Sequence, residues 1–493
     1  MTNDLLNLDE VRIDPAWALK VPAALALRRQ VLPFASMDGR VYVACADTND
    51  RAALEAVERS VGLPVCAQAA EPASLRRALS RVFGTGAPAA AAPRLRMADA
   101  AGDEAGEDAV ALCDELMHAA LVRQASDIHI DPEERHVQVR LRVDGGLERY
   151  RTFPLAALSG VISRFKVLGG MDIAEKRAPQ DGRFTHRFGP AGQAIDVRLA
   201  SLPTKYGERM TVRLLALQTE SLTLERLGMS ERDLPCFSEA IDKPHGLILL
   251  TGPTGSGKTT TLYAALRRLI GTHELNVITI EDPIEYGIAG VAQIEVDTAD
   301  KVTFGKALRS VLRHDPDVVM IGEVRDAETA DIAIKSALTG HLVFSTLHTN
   351  SAASAVTRLV DMGVARYLIA ATLRLAVAQR LVRRLCARCR RERELRPSEA
   401  AALGHPDAAG TAVYDPAGCL YCANRGFVGR LGLFEMLPVD EALSRRIADG
   451  ADEGDLAAEI ARRGIPRLVD DALVKLHAGE SMVQEVLTAV TVW

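Results

Sequence analysis

The stretch Gly246-Leu-Ile-Leu-Leu-Thr251 followed by Gly252-Pro-Thr-Gly-Ser-Gly-Lys-Thr259 decides how this chain is read. Its first half is a short apolar run, which predicts a buried strand. Its second half sets Gly, four residues, Gly, Lys and Thr in the order of a phosphate-binding loop. The residues from Thr260 to Ile270 predict a helix, so strand, loop and helix follow one another as that motif requires. The glycines let the backbone wrap closely around a triphosphate. Successive amide N–H groups at the helix N-terminus hold anionic oxygens. Lys258 places a cation on the β- and γ-phosphates, and the Thr259 hydroxyl can ligate Mg²⁺. The expected binding residues are therefore Gly252, Pro253, Thr254, Gly255, Ser256, Gly257, Lys258 and Thr259.

Three further apolar runs lie downstream. Asn276-Val-Ile-Thr-Ile280 ends in Glu281-Asp-Pro-Ile-Glu285. Val318-Val-Met-Ile321 ends in Gly322-Glu323, and Leu342 to Leu347 is entered from Thr339-Gly-His341 and followed by His348. Strands alternating with helices predict a mostly parallel sheet with its ligand at the C-terminal strand ends. That rule gathers Glu281, Asp282, Glu285, Glu323 and His348 near the phosphate loop. Phosphate hydrolysis needs Mg²⁺ held by a carboxylate and a polar residue that orients water. An apolar strand in such sites usually ends in Asp-Glu, whereas this one ends in Gly322-Glu323. Glu323 is left to act on water or metal, and Glu281 and Asp282 can supply the missing metal contact. Spacing does not separate base from ligand.

The 493 residues suffice for about three domains. With 48 % hydrophobic and 25 % charged residues, the composition is that of a globular protein. A net charge of −6 offers no general attraction to nucleic acid. The N-terminus is acidic and lacks a signal-peptide pattern, and no run approaches the ~18 apolar residues of a membrane span. A cytoplasmic protein with at most peripheral membrane contact is expected. Of eight cysteines, Cys45, Cys66, Cys113 and Cys236 are scattered and predicted to be small packing residues. The other four form Cys386-Ala-Arg-Cys389 and Cys419-Leu-Tyr-Cys422, the pattern of a structural Zn²⁺ site with four thiolates. Arg380, Arg383, Arg384, Arg388, Arg390 and Arg391 crowd the first pair. They can bind an acidic partner or phosphates, or offset the two negative charges of a four-thiolate zinc centre.

Taken in order, residues 1–84 predict a small α/β module suited to docking, with a strand at Arg40–Cys45 and helices at about 50–60 and 71–83. Residues 85–106, rich in Ala, Gly and Pro, predict a flexible linker. Residues 107–224 predict a second domain with a helix at Asp108–Gln124, a helix at Leu158–Leu168 and several strands. Arg183, Asp196, Arg198, Arg209 and Arg213 recur at its strand ends, a pattern that surface ion pairs alone can produce. The nucleotide domain covers 225–380, the cysteine segment 381–430, and a C-terminal region of helices 431–493.

Together these motifs closely resemble one family. The phosphate loop, Ile280-Glu-Asp-Pro-Ile-Glu285, the stretch Leu312 to Asp326 and the stretch Leu338 to Asn350 are similar to those of the traffic ATPases of type II secretion and type IV pili. The resemblance covers about residues 107–493. It implies an α/β fold: a RecA-like ATPase domain, a PAS-like α+β second domain, a small N-terminal domain, a four-cysteine zinc subdomain and a C-terminal helical cap. It implies that Glu323 is the catalytic carboxylate, that Glu281, Asp282 and Glu285 form an "Asp box", and that His341 and His348 form a "His box". It implies that Arg183 and Arg198 reach the γ-phosphate, and that ATP, Mg²⁺ and Zn²⁺ are the cofactors. The Cys-x-x-Cys pairs and their gap resemble the secretion branch, so a homo-hexameric motor on the cytoplasmic face of the inner membrane is expected. Residues 1–84 and the ATPase body would meet the L-type and F-type platform components. A pilus-extension ATPase is the near alternative, and a nucleic-acid translocase the distant one.

Overall fold

The computed structural model describes residues 5–83, 109–187, 194–215, 223–296 and 302–490. The predicted linker at 85–106 lies outside these. The chain divides into two compact units. The first joins Met1–Leu217 to Cys386–Arg390 and Pro416–Gly429. The second holds Gln218–Leu385, Arg391–Asp415 and Arg430–Trp493.

Unit 1 begins with a module of α1 (Pro15–Ala18), α2 (Ala23–Arg29), β1 (Val31–Met37), β2 (Arg40–Cys45), α3 (Arg51–Val61), β3 (Val65–Ala69) and α4 (Pro72–Phe83). The strands pair in the order β1-β2-β3, antiparallel then parallel. Asp50 caps α3 by accepting a hydrogen bond from the Ala53 N–H. Phe34, Val41, Val43, Leu75 and Val82 fill the core. β1 and α2 escaped the sequence reading: Pro33 interrupts the alternation of β1, and the register shifts beside it.

A second module follows, with α5 (Ala109–Val122), β4 (Ala125–Pro132), β5 (His136–Val143), β6 (Gly146–Pro154), α6 (Leu158–Leu168), β7 (Gln180–Arg187), β8 (Ala194–Thr204) and β9 (Gly207–Leu214). Its six strands lie in the order β6-β5-β4-β9-β8-β7, and every neighbouring pair is antiparallel. Burial alternates along β8, so Ile195, Val197 and Leu199 face the core with α5 and α6 while the other face is polar.

Unit 2 is built on α7 (Asp233–Ile241), β10 (Gly246–Thr251), α8 (Lys258–Thr272), β11 (Val277–Glu281), β12 (Val291–Glu295), α9 (Phe304–Val311), β13 (Val318–Ile321), α10 (Ala327–Leu338), β14 (Leu342–Leu347), α11 (Ala352–Asp361), α12 (Arg366–Thr372) and β15 (Leu373–Leu385). After β16 (Arg391–Glu394), α13 (Pro397–Ala402) and β17 (Ala412–Asp415), β18 (Phe427–Pro438) rejoins the sheet, and α14 (Glu441–Ala448), α15 (Glu453–Arg462), α16 (Leu468–His477) and α17 (Val483–Val490) close the chain. The seven-stranded sheet runs β12-β11-β13-β14-β10-β15-β18 and is parallel from β12 to β15. All six residues of β10 are buried, because helices cover both faces of a parallel sheet.

The predicted segment 381–430 does not stand alone. Its cysteines belong to unit 1, whereas Leu395 and Val413 of the intervening insert are buried in the core of unit 2. The C-terminal helices share that same core through Leu443, Ile447, Leu456, Leu476 and Val486.

Candidate active site

The phosphate loop leaves β10 at Gly252 and enters α8 at Lys258. Gly255 and Gly257 take φ of +80° and +89°, the left-handed region that favours glycine. A β-carbon at Gly257 would lie 2.8 Å from the Gln379 Nε2, so the loop also needs a bare backbone against β15. The buried Lys258 ammonium donates to the carbonyls of Gly252, at 2.7 Å, and Pro253, at 3.1 Å. Burial pulls its pKa down to about 8; the charge of Glu323 opposes that shift and the charge of Arg380 adds to it. Ser256 is buried with a hydroxyl oxygen that has no partner among the described residues. Left-handed glycines, a half-buried Thr259 and a buried cation at a helix N-terminus fit a nucleotide phosphate with its Mg²⁺.

Glu323 follows β13, its side chain only 15 % exposed. One carboxylate oxygen lies 3.3 Å from the His348 Nε2, at the end of β14, and the other pairs with Arg325. Arg325 also reaches Asp282 at 3.4 Å. Hydrogen bonding to Glu323 raises the Arg325 pKa. Asp282, Glu323, Arg325 and His348 therefore form one cluster at the strand ends. The sequence reading passed over Arg325, although two residues beyond Glu323 in a strand-to-helix loop is where a partner for that carboxylate can sit.

Glu281 is close in sequence but differently engaged. It is buried at the end of β11 and accepts hydrogen bonds from the Tyr263 hydroxyl, the Thr279 hydroxyl at 2.6 Å and the Gln293 amide at 3.1 Å. These bonds tie three elements of unit 2 together. Glu285 is half-buried in the loop after β11. His341 does not join the cluster. It precedes β14, its carbonyl accepts from the Gly246 N–H at the start of β10, and its Nδ1 meets the Ser336 carbonyl. The phosphate loop leaves the other end of β10, about 20 Å away along six residues of strand.

Gln379 and Arg380, on the buried strand β15, pack behind the loop. The Gln379 side-chain oxygen accepts from Thr261 in α8, at 2.9 Å. Arg380 donates to the backbone and side-chain oxygens of Asn350, two residues past His348. Arg380 therefore belongs to the nucleotide loop and not to the arginine crowd beside the cysteines. That crowd is otherwise spread out: Arg383 pairs with Glu485, Arg384 lies 3.9 Å from Glu480, and Arg388 sits over the Tyr421 ring.

In unit 1, Arg183 and Arg198 lie directly opposite each other on β7 and β8, and Arg198 opposes Arg213 on β9. Three arginines in a row across adjacent strands form a basic stripe, which Asp127 extends with an acid next to Arg213. Like charges directly opposed weaken a sheet, so the stripe is suited to an anion.

The four paired cysteines come together as predicted, with all four sulfurs within 4.8 Å of one another. Cys386–Cys419, Cys389–Cys422 and Cys419–Cys422 sulfur distances are 3.8, 3.8 and 3.7 Å. A tetrahedron of thiolates about 2.3 Å from Zn²⁺ has edges of about 3.8 Å. The N–H groups of Cys419 and Gly426 also point at the Cys422 sulfur, at 3.2 and 3.1 Å, as they would at a thiolate. The donor set fits a closed, structural metal site.

Comparison with known proteins of similar sequence identifies one family. A family profile described as "Type II/IV secretion system protein" matches residues 103–488. The chain belongs to that family. A second profile, the MshEN domain, matches residues 4–89. The type II secretion system protein E of Aeromonas hydrophila is 46 % identical over 387 residues, 78 % of this chain and 76 % of that protein. Its namesake in Pseudomonas aeruginosa is 38 % identical and spans 97 % of this chain and 98 % of its own length. The type IV pilus assembly ATPase PilB of Myxococcus xanthus is 37 % identical over 98 % of this chain and 88 % of its own. Among solved structures, the pilus retraction motor PilT with bound ADP aligns at a TM-score of 0.53 with 26 % identity, covering 76 % of this chain and 95 % of that one. The Legionella pneumophila ATPase DotB, at 0.57 and 22 % over 78 % of this chain and 96 % of its own, shares the fold. The resemblance read from the motifs thus holds, and this family member is a secretion-motor ATPase.

Proposed function

We propose that this chain hydrolyses ATP to power type II secretion, with Glu323 orienting or activating the attacking water. The observation that carries the assignment is that Glu323, paired with His348 and Arg325 at the strand end, lies near enough to the buried phosphate-loop ammonium for its charge to favour the charged form of Lys258. His348 and Arg325 pair with the carboxylate, Asp282 and Thr259 are the candidate Mg²⁺ ligands, and Glu281 braces the sheet. Hydrolysis adds water across the terminal phosphoanhydride and releases ADP and phosphate. Arg183 and Arg198 are the candidate donors to the γ-phosphate, of this copy or of a neighbour in a hexameric ring. The four cysteines hold Zn²⁺.

Secretion is supported by the relatives that match at 45–46 % identity over 78–79 % of this chain, which are type II secretion E proteins; over nearly the whole chain the two branches are equally similar, at 38 % for a secretion E protein and 37–39 % for PilB proteins. The first module meets an inner-membrane platform in this reading, which suits a chain whose described helices include none long and apolar enough to cross a membrane. A nucleic-acid translocase loses its support, because the arginines offered as its contact surface are largely committed: Arg380 to Asn350, Arg383 to Glu485 and Arg388 to Tyr421. The deciding experiment is Glu323→Gln. Nucleotide should bind as in the wild type while phosphate release falls at least ~100-fold. Turnover within a few-fold of wild type would remove Glu323 from the reaction.

A further inference from the structure

Cys419 and Cys422 flank Leu420 and Tyr421, and both of those side chains pack onto the core of the first module. The Tyr421 ring stacks on Phe34 of β1, with centroids 6.2 Å apart and planes at 21°. Its hydroxyl accepts from the Gln68 amide of β3, at 3.2 Å. Its carbonyl accepts from the Arg12 N–H at 2.9 Å. Arg12 then reaches three ways. Its Nε donates to the Phe427 carbonyl at 3.1 Å, and its two terminal nitrogens meet Asp144 at 2.6 Å and Glu148 at 3.2 Å. Asp144 also accepts from the Gly429 N–H at 3.0 Å, and Arg425 pairs with Glu148. The cysteine knuckle, the first module and the β5–β6 turn of the second module thus meet at one largely buried junction within unit 1.

The knuckle is a costly shape to hold. Ala423 and Asn424 have φ of +52° and +60°, and a β-carbon at Gly426 would lie 2.3 Å from the Pro416 side chain. Left-handed backbone at ordinary residues is disfavoured unless something over-determines it. Four thiolate bonds to a bound metal would do so, and would fix the turn that offers Leu420 and Tyr421.

We propose that the knuckle is the seat of the first module, so that metal binding by the four thiolates and docking of residues 5–83 form one coupled equilibrium with Arg12 as its peg. The inference rests on the reading that the cysteines bind a metal. Coupling is reciprocal: metal tightens docking, and docking raises metal affinity by the same factor.

The test uses the full chain, with zinc measured by elemental analysis and hydrogen exchange followed in peptides spanning 8–17 and 416–429. Chelation should raise exchange at the Arg12 N–H about tenfold or more. Tyr421→Ala and Arg12→Ala, which leave every thiolate in place, should keep one zinc per chain, raise the same exchange, and lower zinc affinity in equilibrium competition with a chelator by a similar factor. Unchanged exchange in both variants would overturn the seat. Equal exchange in metal-loaded and stripped wild type would overturn the coupling. A wild type without metal would overturn the metal reading and the coupling with it, while the two variants would still judge the seat.

Discussion

Nucleotide affinity should depend on pH through Lys258. In the free protein, burial holds the Lys258 ammonium at a pKa of about 8, well below the ordinary lysine value. Phosphate oxygens beside it restore the charged form to the usual range. The free protein therefore loses this proton as pH rises through 8, whereas the bound form keeps it. Binding must take up a proton above that pH, and affinity must fall as pH rises. The free lysine is about 0.9 protonated at pH 7 and about 0.1 at pH 9, so ADP should bind about tenfold more weakly at pH 9, about 1.4 kcal/mol. At pH 8, about half a proton should be absorbed per ADP. Calorimetry with Mg²⁺ and ADP, in two buffers of different ionisation enthalpy, reads both quantities without turnover. Lys258→Arg keeps its charge throughout and should flatten the profile. Equal affinity at pH 7 and pH 9, or the same slope in Lys258→Arg, would refute the reasoning.

Arg380→Ala removes a neighbouring positive charge, so the midpoint of that proton uptake should move to higher pH; an unmoved midpoint would detach Arg380 from the loop. Gly257→Ala forces a left-handed residue against Gln379, at a cost of about 1–2 kcal/mol in backbone alone, and ADP affinity should fall with it; wild-type affinity would show that the loop tolerates the side chain. Glu281→Ala strands donors from Tyr263, Thr279 and Gln293, so the urea midpoint should drop by an amount worth about 2–4 kcal/mol while the Mg²⁺ dependence of ADP binding persists. Lost Mg²⁺ dependence at unchanged stability would instead return Glu281 to the metal.

The elements around the phosphate loop were legible because their signals are local. An apolar run, three glycines and a lysine describe β10, the loop and α8 without reference to anything distant. Strand ends are legible for the same reason, which is why Glu323 and His348 were found together. The reading faltered where a motif spans a whole strand. His341 and His348 belong to one short stretch of sequence, yet an extended strand carries them to opposite ends of the sheet. Arg380 and Cys386 are likewise six positions apart on and just beyond β15, so proximity in sequence put the arginine with the wrong neighbours. Partners set by register or by packing are harder still. Tyr421 meets Phe34 across most of the chain's length, and neither residue carries a local mark of the other. The same logic separates Glu281 from Glu323. Both end apolar strands of one sheet, but Glu281 faces Tyr263 and Gln293 from elements packed on its strand, and Glu323 faces only the residues of neighbouring strand-end loops. Both oxygens of Glu323 are paired, but with His348 and Arg325, which are exposed at that rim and can yield to a bound nucleotide and its water, whereas Glu281 is buried among its partners.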